Sequence, residues 1–306
     1  MWAGPSKHFK TAFSLLMARS YLDKYPDSAL LFYDSEFGTP QSYFESFGID
    51  MDRVIHTPIT NIEELKFDIM NQIDNIERGD KVIILIDSIG NLASKKEVED
   101  ALDAKSTVDM SRAKQLKSLF RMVTPHLMLK DIPLVAVNHT YKTMELYAKD
   151  VVGGGTGSYY AADNIYILGR QQEKEGTEVI GYNFIINVEK SRYVKEKSKI
   201  PVCVSFEGGI SKYSGLIDLA LESKLVIKPS NGWYQKVDAK TGEVSEKKYR
   251  LKETENESFW GDILTSESFK SFIENKYKVA HGKILSDGET ISEVSDEDIS
   301  EVFLDE

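Results

Sequence analysis

Short, unbroken apolar runs punctuate the first two thirds of the chain: Ala29 to Tyr33, Val82 to Ile86, Leu134 to Val137, Ile165 to Leu168, Phe184 to Val188 and Val202 to Phe206. Runs of this length between polar stretches predict strands buried on both faces. Between the early runs the apolar positions recur with helical spacing instead. Ile62, Leu65, Phe67, Ile69, Met70, Ile73 and Ile76 mark one helix, Met110 to Leu129 a second, and Ala12 to Tyr21 a third close to the start. Strands that alternate with helices predict an α/β fold with a mostly parallel, twisted sheet flanked by helices. From Gly181 onward the strands follow one another closely, so the sheet is expected to end in antiparallel hairpins. Residues 215–280 then read as a small α+β appendage whose core anchors are Gly232-Trp233-Tyr234 and Phe259-Trp260.

The helix starting at Ala12 is preceded by the first chemical signal. Gly4-Pro5-Ser6-Lys7-His8-Phe9-Lys10-Thr11 has the spacing of a phosphate-binding loop, G-x-x-x-x-G-K-[ST], except that Phe9 stands where the second glycine is expected. In such loops backbone N–H groups wrap the phosphates at a helix N-terminus, the lysine neutralises their charge and the hydroxyl holds Mg²⁺. Lys10 and Thr11 would take the last two roles. A degenerate loop of this kind arises by chance in many chains, so it needs partners. One is Lys81 to Ser88, a β-forming run ending in Asp87. This is the Walker B pattern, in which a carboxylate at a strand's end holds the metal's water shell; a turn residue is the alternative. The other is Asp34-Ser35-Glu36 after Leu30 to Tyr33, at the strand end where open α/β sheets bind ligands. Glu36 is placed there to orient or deprotonate an attacking water, or else to cap the next helix. Loop and Walker B together predict a site for ATP and Mg²⁺.

Composition narrows the setting. At 306 residues, 41% hydrophobic and 28% charged, the chain can bury one large core, or one core plus an appendage. No run approaches the length of a membrane span, and the start lacks the pattern of a secretory signal. The single Cys203 excludes an internal disulfide framework and predicts a reducing, cytoplasmic setting. His8, His56, His126, His139 and His281 are scattered, with no pair at zinc-ligand spacing. The net charge of -11 is uneven: residues 287–306 hold nine acidic groups and no Lys or Arg, which leaves 38 basic against 40 acidic groups in the rest. The body is therefore nearly neutral and compatible with a basic groove. The tail reads either as an acidic interaction or autoinhibitory segment, or as a solvated, disordered end.

Asp34 to Tyr43, Ile86-Asp87-Ser88-Ile-Gly-Asn-Leu92, Val137-Asn138-His139-Thr140 and Gly153-Gly-Gly-Thr-Gly157 together resemble the RecA recombinase family. Among its members, strand-exchange proteins of T-even-like bacteriophages also carry Phe at the second glycine position of the loop. The resemblance spans Ala3 to about Tyr277. It implies a RecA-like ATPase core over residues 1–213, a small C-terminal domain over 214–284 and an acidic tail over 285–306. It implies an ATP- and Mg²⁺-dependent filament protein that coats single-stranded DNA, pairs it with duplex and exchanges strands in recombination, replication and repair in the cytoplasm of a phage-infected cell. A recombination mediator and a single-strand-binding protein are further implied partners.

Residue by residue, the resemblance assigns Lys10, Thr11 and the loop from Gly4 to triphosphate and Mg²⁺, Glu36 to catalysis, Tyr43 to stacking on adenine and Asp87 to the metal. His139 stands where the family has a glutamine sensing the γ-phosphate; a plain polar strand end is the alternative. Lys190 and Arg192 match two basic residues that enter a neighbouring subunit's ATP site, Arg192 replacing a lysine. From the residues alone, Lys190 to Lys199 reads only as a solvated basic hairpin. DNA contact is implied for two loops: Ser94 to Asp109, leading into a helix with Arg112, Lys114, Lys117 and Arg121, and Tyr141 to Gly157, with Gly154 and Gly155. Glu97, Glu99, Asp100 and Asp103 weaken the case for the first. Only three residues precede Gly4, so the strand before the loop and the family's N-terminal polymerisation helix are expected to be missing, with weakened self-association. Two rival readings stand beside the recombinase: a RecA-core helicase, which would unwind without pairing, and a non-catalytic DNA-binding relative, against which Glu36 with Asp87 counts.

Overall fold

In the computed structural model, which describes residues 1–103, 111–144 and 150–279, the apolar runs become the strands of one large sheet. In chain order the core comprises β1 (Trp2–Gly4), α1 (Lys10–Lys24), β2 (Ala29–Asp34), α2 (Gln41–Ser46), β3 (Val54–Pro58), α3 (Ile62–Asn75), β4 (Val82–Asp87), α4 (Lys95–Leu102), α5 (Ser111–Lys130), β5 (Leu134–Lys142), β6 (Asp150–Val152), α6 (Thr156–Ala161), β7 (Asn164–Glu175), β8 (Glu178–Ser191), β9 (Lys199–Ser205) and β10 (Gly209–Ile210). The strand order is β10-β9-β8-β7-β1-β5-β4-β2-β3, with β6 paired to β5. Strands β3 through β7 in that order are mutually parallel. The sheet then turns antiparallel through β8, β9 and β10.

The continuous apolar runs follow from this topology, because alternate residues of a strand point to opposite faces and both faces are covered. Leu31, Tyr33, Ile84 and Ile86 pack into a core with Leu65, Ile69 and Ile73 of α3 and Leu119 and Val123 of α5. Their neighbours Leu30, Phe32, Ile83 and Leu85 pack on the other face with Phe13, Leu15 and Ala18 of α1. Phe67, counted with the apolar stripe of α3, instead faces solvent at 72% exposure. Asn61 caps α3 by accepting from Glu64 N.

Two strands depart from the sequence reading. The strand expected to be missing before the loop is present in short form: Trp2–Gly4 is buried between β5 and β7, with Gly4 opposite His139 and Trp2 opposite Tyr166. Three residues suffice because they are held on both sides by ladder hydrogen bonds. Val54–Pro58 forms the edge strand β3, which is partly exposed along its length and so lacks the unbroken apolar run that reveals the others.

Residues beyond β10 build a second, smaller core. Helix α7 (Leu216–Glu222), a hairpin of β11 (Val226–Ser230) and β12 (Trp233–Lys236), α8 (Glu257–Thr265) and α9 (Glu267–Tyr277) enclose Ala220, Leu225, Val226, Tyr234, Phe259, Trp260, Ile263 and Phe269. Trp233 lies at its edge, with the Arg250 guanidinium 3.9 Å over its ring. The end of α9 returns to the large sheet, where Lys195 N donates to Tyr277 O and Val279 N to Tyr193 O. The acidic tail lies outside the described residues, as do residues 104–109 and 145–149 of the two expected DNA loops.

Candidate functional site

Strand β1 delivers Gly4 to the carboxyl edge of the sheet, where a Cβ on it would stand 3.3 Å from Leu168 O. The chain then curls through residues 5–9 into α1. Lys7 (φ 60°) and Phe9 (φ 57°, ψ 23°) are both left-handed. That conformation is natural for glycine and unfavourable for other residues. Phe9 therefore adopts the backbone expected of the second glycine and keeps a side chain. Two contacts from the neighbouring hairpin hold it there: the Phe9 ring lies 4.9 Å from that of Phe184, and Arg170 donates to Lys7 O at 2.8 Å. Lys10, 7% exposed, folds back over the loop to donate to Pro5 O at 2.8 Å. Burial lowers its pKa, opposed by Glu36 and Asp87. His8 lies 2.9 Å from Ser6 O through Nδ1, and burial lowers its pKa as well.

Next to the loop, Thr11 Oγ1 donates to Asp87 Oδ2 at 2.6 Å. The other oxygen, Asp87 Oδ1, is buried without a hydrogen-bond partner. Burial, aided by Glu36 and Asp34, pushes the Asp87 carboxyl up to about 6 against the opposing Thr11 and Lys10. An unsatisfied carboxylate oxygen beside a hydroxyl is the donor set of a hard cation, so these residues fit Mg²⁺. Glu36 sits across the loop, its Oε1 3.2 Å from His139 Nε2, an ion-pair distance without the alignment of a hydrogen bond. The His139 ring beside it, above all, with Ser88 and Lys10, holds Glu36 below its ordinary value against the effect of burial.

The register explains this convergence: Asp34 is opposite Asp87, and His139 opposite Gly4, so Lys10, Thr11, Glu36, Asp87 and His139 all leave the same edge of adjacent strands. Tyr43 on α2 is half-buried nearby, its ring 5.3 Å from Phe47. His139 continues into a hairpin: Asn138 Nδ2 donates to Gly153 O at 2.8 Å and Gly153 N to His139 O at 2.8 Å. Gly154 (φ 86°) and Gly155 (φ 75°) follow, turning the chain into α6. In the first loop, residues 95–102 form α4. Arg112 points inward, donating to Leu92 O at 2.7 Å, Gly90 O at 2.7 Å and Ile89 O at 3.0 Å. Its guanidinium thus braces the turn after β4 in this arrangement.

Lys190 and Arg192 do not join the cluster. Lys190 is opposite Ile165 at the start of β7, the amino edge of the sheet, while the loop from Gly4 to Thr11 leaves the carboxyl edge. There Lys190 Nζ donates to Tyr159 O at 3.0 Å, and Arg192 Nε pairs with Asp163 at 3.0 Å. Sequence reading missed Asp34, His56, Asn138 and Arg170. Asp34 had a signal in its place at the strand end beside Glu36; Arg170 had none, because its contact depends on how β7 packs beside the loop.

Comparisons with known proteins show the family of the fold. The family model described as the RecA N-terminal domain matches residues 3–211, and that of the bacteriophage T4 recombination and repair protein, C-terminal domain, matches residues 213–273. The recombination and repair protein of Enterobacteria phage T4 is 53% identical over 281 residues, covering 90% of this chain and 72% of the relative. Protein RecA of Bacteroides thetaiotaomicron is 28% identical over 216 residues, covering 69% of this chain and 63% of the relative. Protein RecA of Cereibacter sphaeroides is 23% identical over 291 residues, covering 94% and 79%.

Proposed function

The chain belongs to the RecA family, and from that membership and the geometry of its phosphate-loop edge we propose that it is an ATP-dependent DNA strand-exchange recombinase. The observation that carries the reading is the convergence of Lys10, Thr11, Glu36, Asp87 and His139 on one sheet edge, with the unpartnered Asp87 Oδ1 at its centre. The loop N–H groups and the N-terminus of α1 bind the polyphosphate, and Lys10 exchanges its contact with Pro5 O for a phosphate oxygen. Thr11 and Asp87 hold Mg²⁺, which neutralises charge on the phosphates when bound. Glu36, kept ionised by His139, orients and deprotonates the water that attacks the γ-phosphate. Tyr43 borders the adenine.

Lys190 and Arg192 lie on the opposite edge from their own chain's loop, so they act in the site of a second copy, stacked head to tail. Such an interface is heterologous and extends into a filament. His139 links the site to the Gly153–Gly155 turn through Asn138, which gives DNA bound at the glycine turn a route to the nucleotide. The domain division at residues 213 and 284 and the docking of partner proteins on the acidic tail belong to the same proposal.

The test is ATP turnover with and without single-stranded DNA at two protein concentrations, beside a Lys10→Ala control. Turnover that is stimulated by DNA, rises more than linearly with concentration and vanishes in the control is the expected result. Nucleotide bound but never cleaved, with or without DNA, would overturn it.

A further inference from the structure

The carboxylate Asp34 is 2% exposed at the end of β2, and both of its oxygens are engaged. Oδ1 accepts from Glu36 N at 3.0 Å and from Phe37 N at 2.7 Å. Oδ2 lies 3.1 Å from His56 Nε2 on the adjacent strand β3. From this arrangement we propose that Asp34 and His56 form a positioning pair that fixes the backbone carrying Glu36; the inference rests on Glu36 being the group that acts on water.

The turn after Asp34 needs such an anchor. Phe37 is left-handed at φ 53°, a conformation unfavourable for any residue but glycine, and its side chain is 63% exposed. The outer side of the turn borders an open cleft of about 610 Å³, lined by Phe37 to Pro40 together with Asp34, His56 and Pro58. On its inner side Ser35 ties the turn to β4, its N donating to Asp87 O at 2.8 Å and its Oγ to Ser88 O at 2.7 Å, while Glu36 N and Phe37 N are held by Asp34. A buried carboxylate accepting two N–H groups still needs its second oxygen satisfied. His56 supplies that donor, and its own ring is set by edge-on contacts with Phe32 at 5.1 Å and Phe44 at 5.6 Å. The chain of support thus runs from the Phe32 and Phe44 rings through His56 and Asp34 to the Glu36 backbone. The Glu36 side chain has a separate neighbour in His139, whose Nε2 lies 3.2 Å from Oε1.

Loss of such an anchor displaces Glu36 while the contacts of Lys10 with Pro5 O and of Thr11 with Asp87 stay in place, so turnover and nucleotide affinity separate. The experiment measures DNA-stimulated ATP hydrolysis and Mg²⁺-dependent binding of a fluorescent ATP analogue for the full chain and for Glu36→Gln, His56→Ala, His56→Gln and Asp34→Ala. For His56→Ala the expected result is a kcat about 10-fold lower with KM and binding within about 2-fold, since small displacements of a reacting group are felt in the barrier. His56→Gln, whose amide N–H reaches the same oxygen, returns most of the loss. Asp34→Ala, which removes the anchor itself, falls by about 100-fold. His56→Ala with unchanged kcat beside an inactive Glu36→Gln would overturn the inference alone, as would an unrescued His56→Gln or a loss confined to binding. A Glu36→Gln protein that turns over like the parent would overturn the hydrolysis reading, and this inference with it.

Discussion

The two edges of the central sheet are built on opposite principles. At the carboxyl edge the charged groups are drawn in: Lys10 and Asp87 are 7% and 2% exposed, each with its pKa moved against its charged form by burial. At the amino edge Lys190 is half-buried with its Nζ donating to Tyr159 O, and Arg192 lies in the open, its side chain 71% exposed with a surface partner in Asp163. Surface pairs of that kind contribute little stability and are exchanged at small cost. One edge is organised around groups held in place before a ligand arrives, the other around groups free to leave their partners. Under the function proposed above, a site divided in this way takes its parts from two chains.

The contrast breaks most sharply at Glu36. Glu36→Gln keeps the side chain's shape but removes the proposed base, and should lower DNA-stimulated ATP turnover by about 100- to 10,000-fold, the range of general-base catalysis, with Mg²⁺-dependent nucleotide binding retained. Arg192→Ala should lower turnover too, for a different reason: its own loop is intact and it fails its neighbour. Mixing equal amounts of the two inactive variants should then restore roughly a quarter of parental turnover, the fraction of heterologous interfaces that pair an intact Glu36 with an intact Arg192. A mixture as inactive as its parts would place the whole site in one chain and end the comparison.

A smaller effect separates the edges by stability. Because Asp87 titrates near 6 in the folded chain against an ordinary 3.8, the folded form binds its proton more tightly than the unfolded form. The ionised carboxylate therefore costs stability above about pH 6, and the cost fades as pH falls toward 4. Asp87→Asn should stabilise the nucleotide-free protein at neutral pH by about 3 kcal/mol in urea denaturation, and lose that advantage near pH 4. Arg192→Ala should do neither. Equal denaturation curves for Asp87→Asn and the parent at pH 7.5 would show that the carboxylate is already compensated.

Much of this was legible in the sequence because the site's residues coincide with strand ends. Asp87 and Glu36 follow unbroken apolar runs, and a run buried on both faces must end where the chain meets the sheet's edge. The strand β1 was not legible, since three residues carry no periodicity and its burial is imposed by β5 and β7. Arg112 shows a different limit. An arginine at helical spacing with Lys114 and Lys117 reads as part of a basic face, but its guanidinium turns inward to three carbonyls that come near only after β4 and α5 have packed. The Asp34–His56 pair was hidden for a similar reason: its members are far apart in sequence and meet only through the parallel pairing of β2 with β3.

Phe9 tests the smallest term, the local balance that lets a bulky residue stand in a glycine's conformation. The left-handed backbone costs a non-glycine residue about 1 kcal/mol, and an aromatic contact such as that with Phe184 returns a similar amount. Phe9→Gly removes both, so the net change should be within about 1 kcal/mol. Phe9→Ala keeps the backbone cost and loses the contact, and should be less stable than Phe9→Gly by about 1 kcal/mol. That order is the reverse of the one at an ordinary helix position, where alanine is the better residue. Urea denaturation of the two variants side by side decides it. If alanine proves the more stable, the loop has relaxed out of the left-handed region, and the support it receives from Phe184 and Arg170 is weaker than the geometry implies.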